Sequence, residues 1–178
     1  MQSVVALPTA NASFSATVVT EWTRILPDGS NEAMKNHRAL ARDSSGRVFQ
    51  ERRYFSPDGD REETRLSELD YEDPTRNERF VCSPARKVCE VYQLNRPTDM
   101  PVAKAGPLPG GRGTVTVESL GERTENNLEL VGSREVTTLN AGVVGNEKAE
   151  PTVKEFWYSP RLGLNVVTKR FDPHASAI

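Results

Sequence analysis

Two cysteines on either side of a short turn sequence constrain the fold of this chain more than any other feature. Cys82 and Cys89 are its only cysteines, and they are separated by the six residues Ser-Pro-Ala-Arg-Lys-Val. A loop of residues 84–87 would pair Ser83 with Val88. The same register would place Cys82 directly opposite Cys89. Cross-strand neighbours have Cβ atoms about 4.5–5.5 Å apart, so a disulfide needs only a small local adjustment. The spacing predicts a stapled antiparallel hairpin.

A disulfide in this hairpin would indicate the compartment in which the protein folds. Disulfides form and persist in oxidising environments, so the pair Cys82–Cys89 predicts a periplasmic or secreted protein. Two other interpretations of the same residues stay open. The cysteines could be reduced thiols on a cytosolic hairpin. A metal site would need further ligands, because two thiolates alone do not complete a tetrahedral shell.

The composition indicates one domain with a modest core. The chain has 178 residues, of which 36% are apolar and 27% charged, and its net charge is −2. We expect a flexible N-terminal segment over residues 1–13 and a single β-rich domain over residues 14–178. Acidic and basic residues are mixed along the chain, which argues against nucleic acid as a partner. No apolar stretch reaches the roughly 18 residues of a membrane span. We expect a monomer.

The first long segment is predicted to be a strand that pairs with the next segment in a hairpin. Residues 14–26 alternate between apolar and polar, with Phe14 and Trp22 on the same face. Residues 27–29, Pro-Asp-Gly, predict a three-residue hairpin loop with a bulge. This loop places Met34 opposite Trp22, whereas a two-residue loop would bring a lysine there. We therefore predict the first register, which buries the better set of side chains.

The remainder of the chain predicts further strands and two irregular segments. Residues 58–73 are half acidic, which favours a short helix or an irregular connection there. Residues 95–113 contain four prolines and four glycines, so most of this stretch is expected to be a loop or a flap over a concave surface. The total is nine or ten strands with little helix. This pattern predicts a mainly β fold, an antiparallel sheet that is strongly curved, half-closed or sandwiched.

Residues for catalysis or metal binding are few. The chain has two histidines, His37 and His174, and lacks a G-x-S-x-G elbow, so no catalytic residue is assigned. Asp58 and Asp60 offer oxygen ligands on a turn, which makes a calcium site one hypothesis, although the spacing differs from that of a calcium-binding hand. A solvated acidic connection is the alternative. No other cofactor is indicated.

Aromatic residues are the more suggestive group. Five of them come from the first and the late strands, namely Phe14, Trp22, Phe156, Trp157 and Tyr158. Collected on one concave sheet face, they would line an apolar pocket beneath the proline-rich loop, and we predict them as ligand-binding residues. The alternative is that they simply form the core.

Several blocks of this chain resemble known sequences. The blocks are residues 14–21, residues 70–74 followed by 79–82, and residues 155–160 with 162–164. They look like blocks in uncharacterised exported proteins of soil bacteria. The layout of one curved antiparallel sheet also resembles the periplasmic lipoprotein carriers and receptors of the LolA/LolB type, although lid helices are not evident here. That resemblance implies a half-barrel that holds acyl chains on an apolar concave face.

Three functional hypotheses follow. The first is an exported binding protein whose concave sheet face accepts a small apolar or acylated molecule. The second is a metal-assisted hydrolase of a small ester or lactone, which would use carboxylates of the acidic segment and His37. The third is a cell-envelope scaffold domain without a ligand.

Overall fold

The chain forms two compact, mainly β units. The structure is a computed structural model that describes residues 4–26, 28–95 and 103–173. One unit comprises Val5–Asp99, and the other comprises Met1–Val4 together with Met100–Ile178. Each unit is built around one antiparallel sheet, and each is described separately below.

The unit Val5–Asp99 contains a six-stranded sheet. Its strands follow one another in the order of the sequence, and each strand pairs with the next. Short turns of four or five residues join four of the five neighbouring pairs, whereas residues 54–65 connect the third strand to the fourth. They are β1 (Phe14–Ile25), β2 (Asn31–Arg42), β3 (Val48–Arg53), β4 (Leu66–Asp73), β5 (Glu78–Ser83) and β6 (Val88–Gln93).

The other unit contains a five-stranded sheet of the same meandering type. Its order across the sheet is β11-β10-β9-β8-β7. The strands are β7 (Gly106–Pro107), β8 (Gly113–Glu125), β9 (Leu128–Leu139), β10 (Glu150–Ser159) and β11 (Leu164–Phe171). Among the described residues the helix content is small and consists of one 3-10 turn at Pro109–Gly111. In the described ranges, no helix combines the length and apolarity that crossing a membrane requires.

The prediction of a mainly antiparallel β fold is confirmed, but the single curved sheet of nine or ten strands is wrong. The described residues form eleven strands in two sheets. The break follows β6, in the proline-rich segment 95–113. A proline lacks a backbone N–H and a proline-rich connection does not make a tight hairpin, so the meander does not continue from β6 to the next strand. Within this segment, β7 and the 3-10 turn form short ordered pieces.

Both predicted hairpin registers are confirmed. Trp22 lies opposite Met34, and the Leu26 N–H donates to the Ser30 carbonyl at 2.8 Å, which closes the first turn. In the second hairpin, Cys82 lies opposite Cys89 and their sulfur atoms are 2.00 Å apart. Turn residues, together with the choice of the register that buries the better set of side chains, therefore predicted which residues face each other across these strand pairs.

The acidic segment differs from its prediction. Residues 66–73 were expected in a short helix or irregular connection, but they form β4, a central strand between β3 and β5. Within β4 the side chains alternate, with Leu69 and Tyr71 on one face and Asp70 and Glu72 on the other. Asp70 and Glu72 are buried. The charge of Asp70 is tolerated because Arg52 and Arg79 of the neighbouring strands lie within 3.5 Å of it, which the local sequence does not show.

The segment before β1 packs against the unit Val5–Asp99. Ala6 and Leu7 are buried, with 2% and 7% of their surface exposed. Arg42 is also buried, and its guanidinium donates to the carbonyls of Leu7 and Ala12, each at 2.8 Å. Flexibility of residues 1–13 stays a prediction. These contacts tie part of that segment to the end of β2.

Candidate functional site

An apolar row crosses one face of the six-stranded sheet. The strand registers pair Ala41 with Phe49, Phe49 with Tyr71, Tyr71 with Phe80, and Phe80 with Val91. Cross-strand neighbours have Cβ atoms roughly 4.5–5.5 Å apart, so these side chains are successive neighbours across five strands. We refer to these residues as the apolar row, and to this side of the sheet as the groove face.

An open groove of about 500 Å³ runs over part of this row. Phe49 and Tyr71 form its floor, with ring centroids 5.0 Å apart and planes tilted by 40°. Tyr71 is 41% exposed, so the floor is accessible from solvent. The volume falls within the range of roughly 300–1,000 Å³ that is typical of small-molecule sites. The lining residues are Ala41, Asp43, Arg47, Val48, Phe49, Tyr71, Glu72, Asp73, Phe80 and Cys82.

The disulfide forms part of one wall of the groove. Cys82 lines the groove, and its bond to Cys89 joins β5 to the edge strand β6. The Cα atoms of the pair are 3.9 Å apart. Non-hydrogen-bonded pairs are the close pairs of an antiparallel ladder, at roughly 4.5 Å, and the cysteines occupy such a pair. The bond therefore fixes the wall against sliding of β6 along β5.

Charged groups lie at one end of the groove, where the β2–β3 and β4–β5 turns meet. Asp43 Oδ2 accepts a hydrogen bond from Arg47 Nε at 2.7 Å, and its Oδ1 accepts from the Ser45 and Arg47 backbone N–H groups. Burial raises the pKa of Asp43, but its bonds to Arg47 outweigh this and the pKa falls below its usual value. For Asp73, the Thr75 hydroxyl hydrogen bond is the main cause of a lowered pKa. Both carboxylates are therefore ionised at neutral pH.

The opposite side of the sheet, which we call the network face, carries a buried carboxylate in a network of hydrogen bonds and ion pairs. Asp70 has a fully buried side chain and accepts two hydrogen bonds from Arg79, at 2.8 and 2.6 Å. Gln50 donates to it at 3.2 Å, and Arg52 lies 3.5 Å away. Burial raises the pKa of Asp70, but the arginines and Gln50 lower it by more, so the net shift is downward. The pKa of Arg79 is raised by the same pair.

The network joins the three strands whose aromatic side chains form the groove. Gln50, Asp70 and Arg79 come from β3, β4 and β5, the strands that carry Phe49, Tyr71 and Phe80 one position away. Because side chains alternate between the faces of a strand, polar groups on one face fix the register of aromatic groups on the other. The hydrogen bonds on the network face thus hold the aromatic floor of the groove in register.

Two of the predicted ligand-binding aromatics lie in this unit, on the network face. Phe14 and Trp22 are both half-buried in β1, opposite Arg42 and Met34 respectively. The Arg42 guanidinium carbon lies 5.2 Å from the centroid of the Phe14 ring, a cation–π contact. Neither residue lines the groove. Their role in ligand binding stays a prediction.

The other three predicted aromatics lie on β10 of the five-stranded sheet. Phe156 is buried, and Tyr158 on the same face is 37% exposed. Trp157 points to the other face, where Gly132 lies directly opposite it on β9. A Cβ at Gly132 would come within 2.7 Å of the Trp157 ring, so only glycine fits beneath it. The Arg123 guanidinium lies 3.9 Å from the centroid of that ring. Trp157 is thus packed between neighbouring strands, and a ligand role for these three residues stays a prediction.

The residues predicted for metal binding or hydrolysis are placed as follows. Asp60 lies 3.4 Å from the Lys35 ammonium, which lowers the pKa of Asp60 although burial acts in the opposite direction. Asp58 lies on the same turn, and its backbone N–H donates to the Ser56 hydroxyl. His37 faces the groove side of β2, opposite Val19. Among the described residues, no group of three or more His, Cys, Asp or Glu side chains is arranged to hold a metal ion. His174 lies outside the described residues.

The sequence interpretation missed the aromatic floor of the groove. Phe49, Tyr71 and Phe80 come from three different strands, and they share a face only if residues 66–73 form a strand. One signal was available. Phe80 lies two positions before Cys82, so the predicted disulfide hairpin already placed both on one face.

Comparison with known proteins leaves the chain without an assigned relative. No protein-family model matches it, and neither a curated protein nor a solved structure is similar to it. The resemblances to exported proteins of soil bacteria and to the LolA/LolB type therefore stay predictions.

Proposed function

We propose that this chain is an exported binding protein that holds a small apolar or acylated molecule in the groove of the six-stranded sheet. The observation that carries the proposal is the groove itself, an accessible apolar depression of about 500 Å³ whose floor is formed by the neighbouring rings of Phe49 and Tyr71. Exposed apolar surface is costly in water, and contiguous apolar grooves with a few polar groups are typical of ligand sites.

The arrangement of the groove suits a molecule with one apolar and one polar end. A hydrocarbon chain lying over Phe49, Tyr71 and Phe80 would remove its own surface and theirs from water. Each buried methylene contributes about 0.8 kcal/mol, or roughly a fourfold gain in affinity. The polar end of such a molecule would lie beside Asp43 and Arg47, where hydrogen-bonding groups and water are accessible.

The disulfide supports the cellular location that we propose. A bond between Cys82 and Cys89 is stable in the periplasm or outside the cell, whereas the cytosol keeps thiols reduced.

The proposal is tested by calorimetry with alkyl chains of increasing length. 1-Hexanol, 1-octanol and 1-decanol, whose neutral hydroxyl avoids repulsion by the ionised Asp43 and Asp73, should bind with affinity that rises about fourfold per methylene until the groove is filled. Tyr71→Ala removes aromatic contact area from the groove floor and should cost about 1 kcal/mol, or roughly a fivefold loss of affinity. Tyr54→Ala is the matched control, because Tyr54 is similarly exposed in the same unit and does not line the groove. Absence of binding for all three alkyl compounds, or equal effects of the two protein variants on affinity, would contradict the proposal.

The two other hypotheses stay predictions. A metal-assisted hydrolase would show ester or lactone turnover that a chelator abolishes and that needs Asp58, Asp60 and His37. A calcium site at Asp58 and Asp60 would be detected by calcium titration of the same samples. A scaffold domain would bind none of the alkyl chains and would recover an envelope protein as a partner.

A further inference from the structure

The edge strand β6 is an open end of the six-stranded sheet. All six of its residues are exposed, including Val91 at 58% and Tyr92 at 48%. It is the last strand in the sheet, and within the described residues no strand pairs with its outer side. An edge strand carries a row of unused backbone donors and acceptors, which makes it a template for a further strand.

The hydrogen-bond pattern shows which backbone groups point outward. The Leu94 N–H donates to the Asn77 carbonyl at 3.0 Å, so this pair is of the hydrogen-bonded type. Hydrogen-bonded and non-hydrogen-bonded pairs alternate along an antiparallel ladder, and the close pair Cys82–Cys89 is of the second type. The residues of β6 whose N–H and C=O groups point away from β5 are Cys89, Val91 and Gln93.

This edge lacks the features by which monomeric proteins protect their sheets. Such edges usually carry lysine, proline or a bulge. The sequence of β6 is Val-Cys-Glu-Val-Tyr-Gln, and its pairing with β5 continues without a bulge. Its single charge is on Glu90, which accepts a hydrogen bond from the Tyr92 hydroxyl of the same strand. The side chains present are those that favour strand pairing.

We propose that a second copy of this chain pairs antiparallel with β6, with the twofold axis at Val91. In this register Val91 meets Val91 of the second copy, and Cys89 meets Gln93, so every outward N–H and C=O of the three residues finds a partner. On the network face, Glu90 lies opposite Tyr92. A register with the twofold axis at Glu90, one residue nearer to the β5–β6 turn, would place Glu90 directly against Glu90 of the second copy, a repulsive pair. The charge of Glu90 therefore disfavours the register that is shifted toward the turn.

The groove face supports the same pairing. Val91 is the end of the apolar row, so this register joins the rows of two copies into one strip across a continuous sheet. A single short strand buries less than the roughly 1,600 Å² of a standard interface, so we infer association in the micromolar range. The sequence alone leads us to expect a monomer, and the open edge is the reason for proposing a dimer instead. The pairing does not depend on ligand binding in the groove.

The first test is sedimentation equilibrium from about 1 to 300 µM, a range that brackets micromolar association. The mass of the wild type should rise with concentration from 19.7 kDa toward twice that value. Val91→Lys places two ammonium groups at the axis and should weaken association by at least about tenfold. Val19→Lys is the matched control: Val19 is 62% exposed on the groove face of the other edge strand, β1, and this variant should associate as the wild type does.

The second test reads the backbone directly by hydrogen exchange at low and high protein concentration. The amides of Cys89, Val91 and Gln93 should become protected as concentration rises, whereas those of Glu90 and Tyr92, already bonded to β5, should not change. A constant mass of 19.7 kDa across the range would overturn the inference. So would equal effects of the two lysine variants, or concentration-dependent protection confined to amides outside β6.

Discussion

Replacing Asp70 with asparagine tests how the network face supports the groove. The substitution keeps the size of the side chain and removes its charge. In the wild type, this fully buried carboxylate accepts two hydrogen bonds from Arg79 and one from Gln50, with Arg52 at 3.5 Å. In Asp70→Asn, the amide group would present donors toward the Arg79 guanidinium, which also has only donors, so at least one bond is lost.

The expected loss of stability follows from the burial of the two partners. Breaking a fully buried ion pair by removing one partner costs about 3–5 kcal/mol. Arg79 is 31% and Arg52 51% exposed in their side chains, so both can recover water when the carboxylate is gone. We therefore expect a decrease of about 2 kcal/mol in the free energy of unfolding.

Urea unfolding monitored by tryptophan fluorescence measures this change. Trp22 belongs to the same unit as Asp70, and a Trp157→Phe background leaves it as the sole reporter. Glu68→Gln is the matched control, because Glu68 lies on the same strand and face, 3.5 Å from Arg52, but is 42% exposed in its side chain. Its effect should stay within about 1 kcal/mol, as is usual for exposed pairs.

The pH dependence provides a second readout with a defined sign. The folded-state pKa of Asp70 is lowered, so its contribution is fully present above its unfolded pKa of about 3.9 and is lost as pH falls through the folded value. The stability difference between wild type and Asp70→Asn should thus be constant near neutral pH and shrink in acid. Equal effects of the Asp70 and Glu68 variants, or a difference that grows in acid, would refute the reasoning.

Two further predictions concern the disulfide and the five-stranded sheet. Replacing both Cys82 and Cys89 with alanine should lower the free energy of unfolding of the unit Val5–Asp99 by about 2.5 kcal/mol, because the unfolded chain regains the entropy of this short loop. Urea unfolding measures the change, and an unchanged midpoint would show that the bond contributes nothing. Gly132→Ala should destabilise the other unit by about 1–3 kcal/mol and shift the Trp157 emission, because the new Cβ would lie 2.7 Å from that ring; a neutral effect would contradict the packing described.

Local turn chemistry is what made part of the fold predictable. The sequence Pro-Asp-Gly at 27–29 and the four residues between Ser83 and Val88 set two registers, and both are confirmed. β4 could not be predicted in this way. Its many carboxylates predicted a solvated connection, because the local sequence does not show that Arg52 and Arg79 of the neighbouring strands pair with Asp70.

The candidate site could not be predicted from the sequence for the same reason. Phe49, Tyr71 and Phe80 are adjacent only across strands, and the middle one belongs to the strand that was missed. The division into two sheets was also not evident. The prolines of residues 95–113 predicted an interruption, but not that the strands on either side would belong to different sheets.

Amide chemical shifts during titration with the neutral probe 1-decanol test the central claim most directly. Binding in the groove predicts saturable shift changes that are largest at Ala41, Phe49, Tyr71 and Phe80, with only small changes on β10. Changes centred on residues 156–158 would support the aromatic cluster predicted from the sequence and contradict the groove. An unperturbed spectrum at saturating 1-decanol would contradict ligand binding on this sheet altogether.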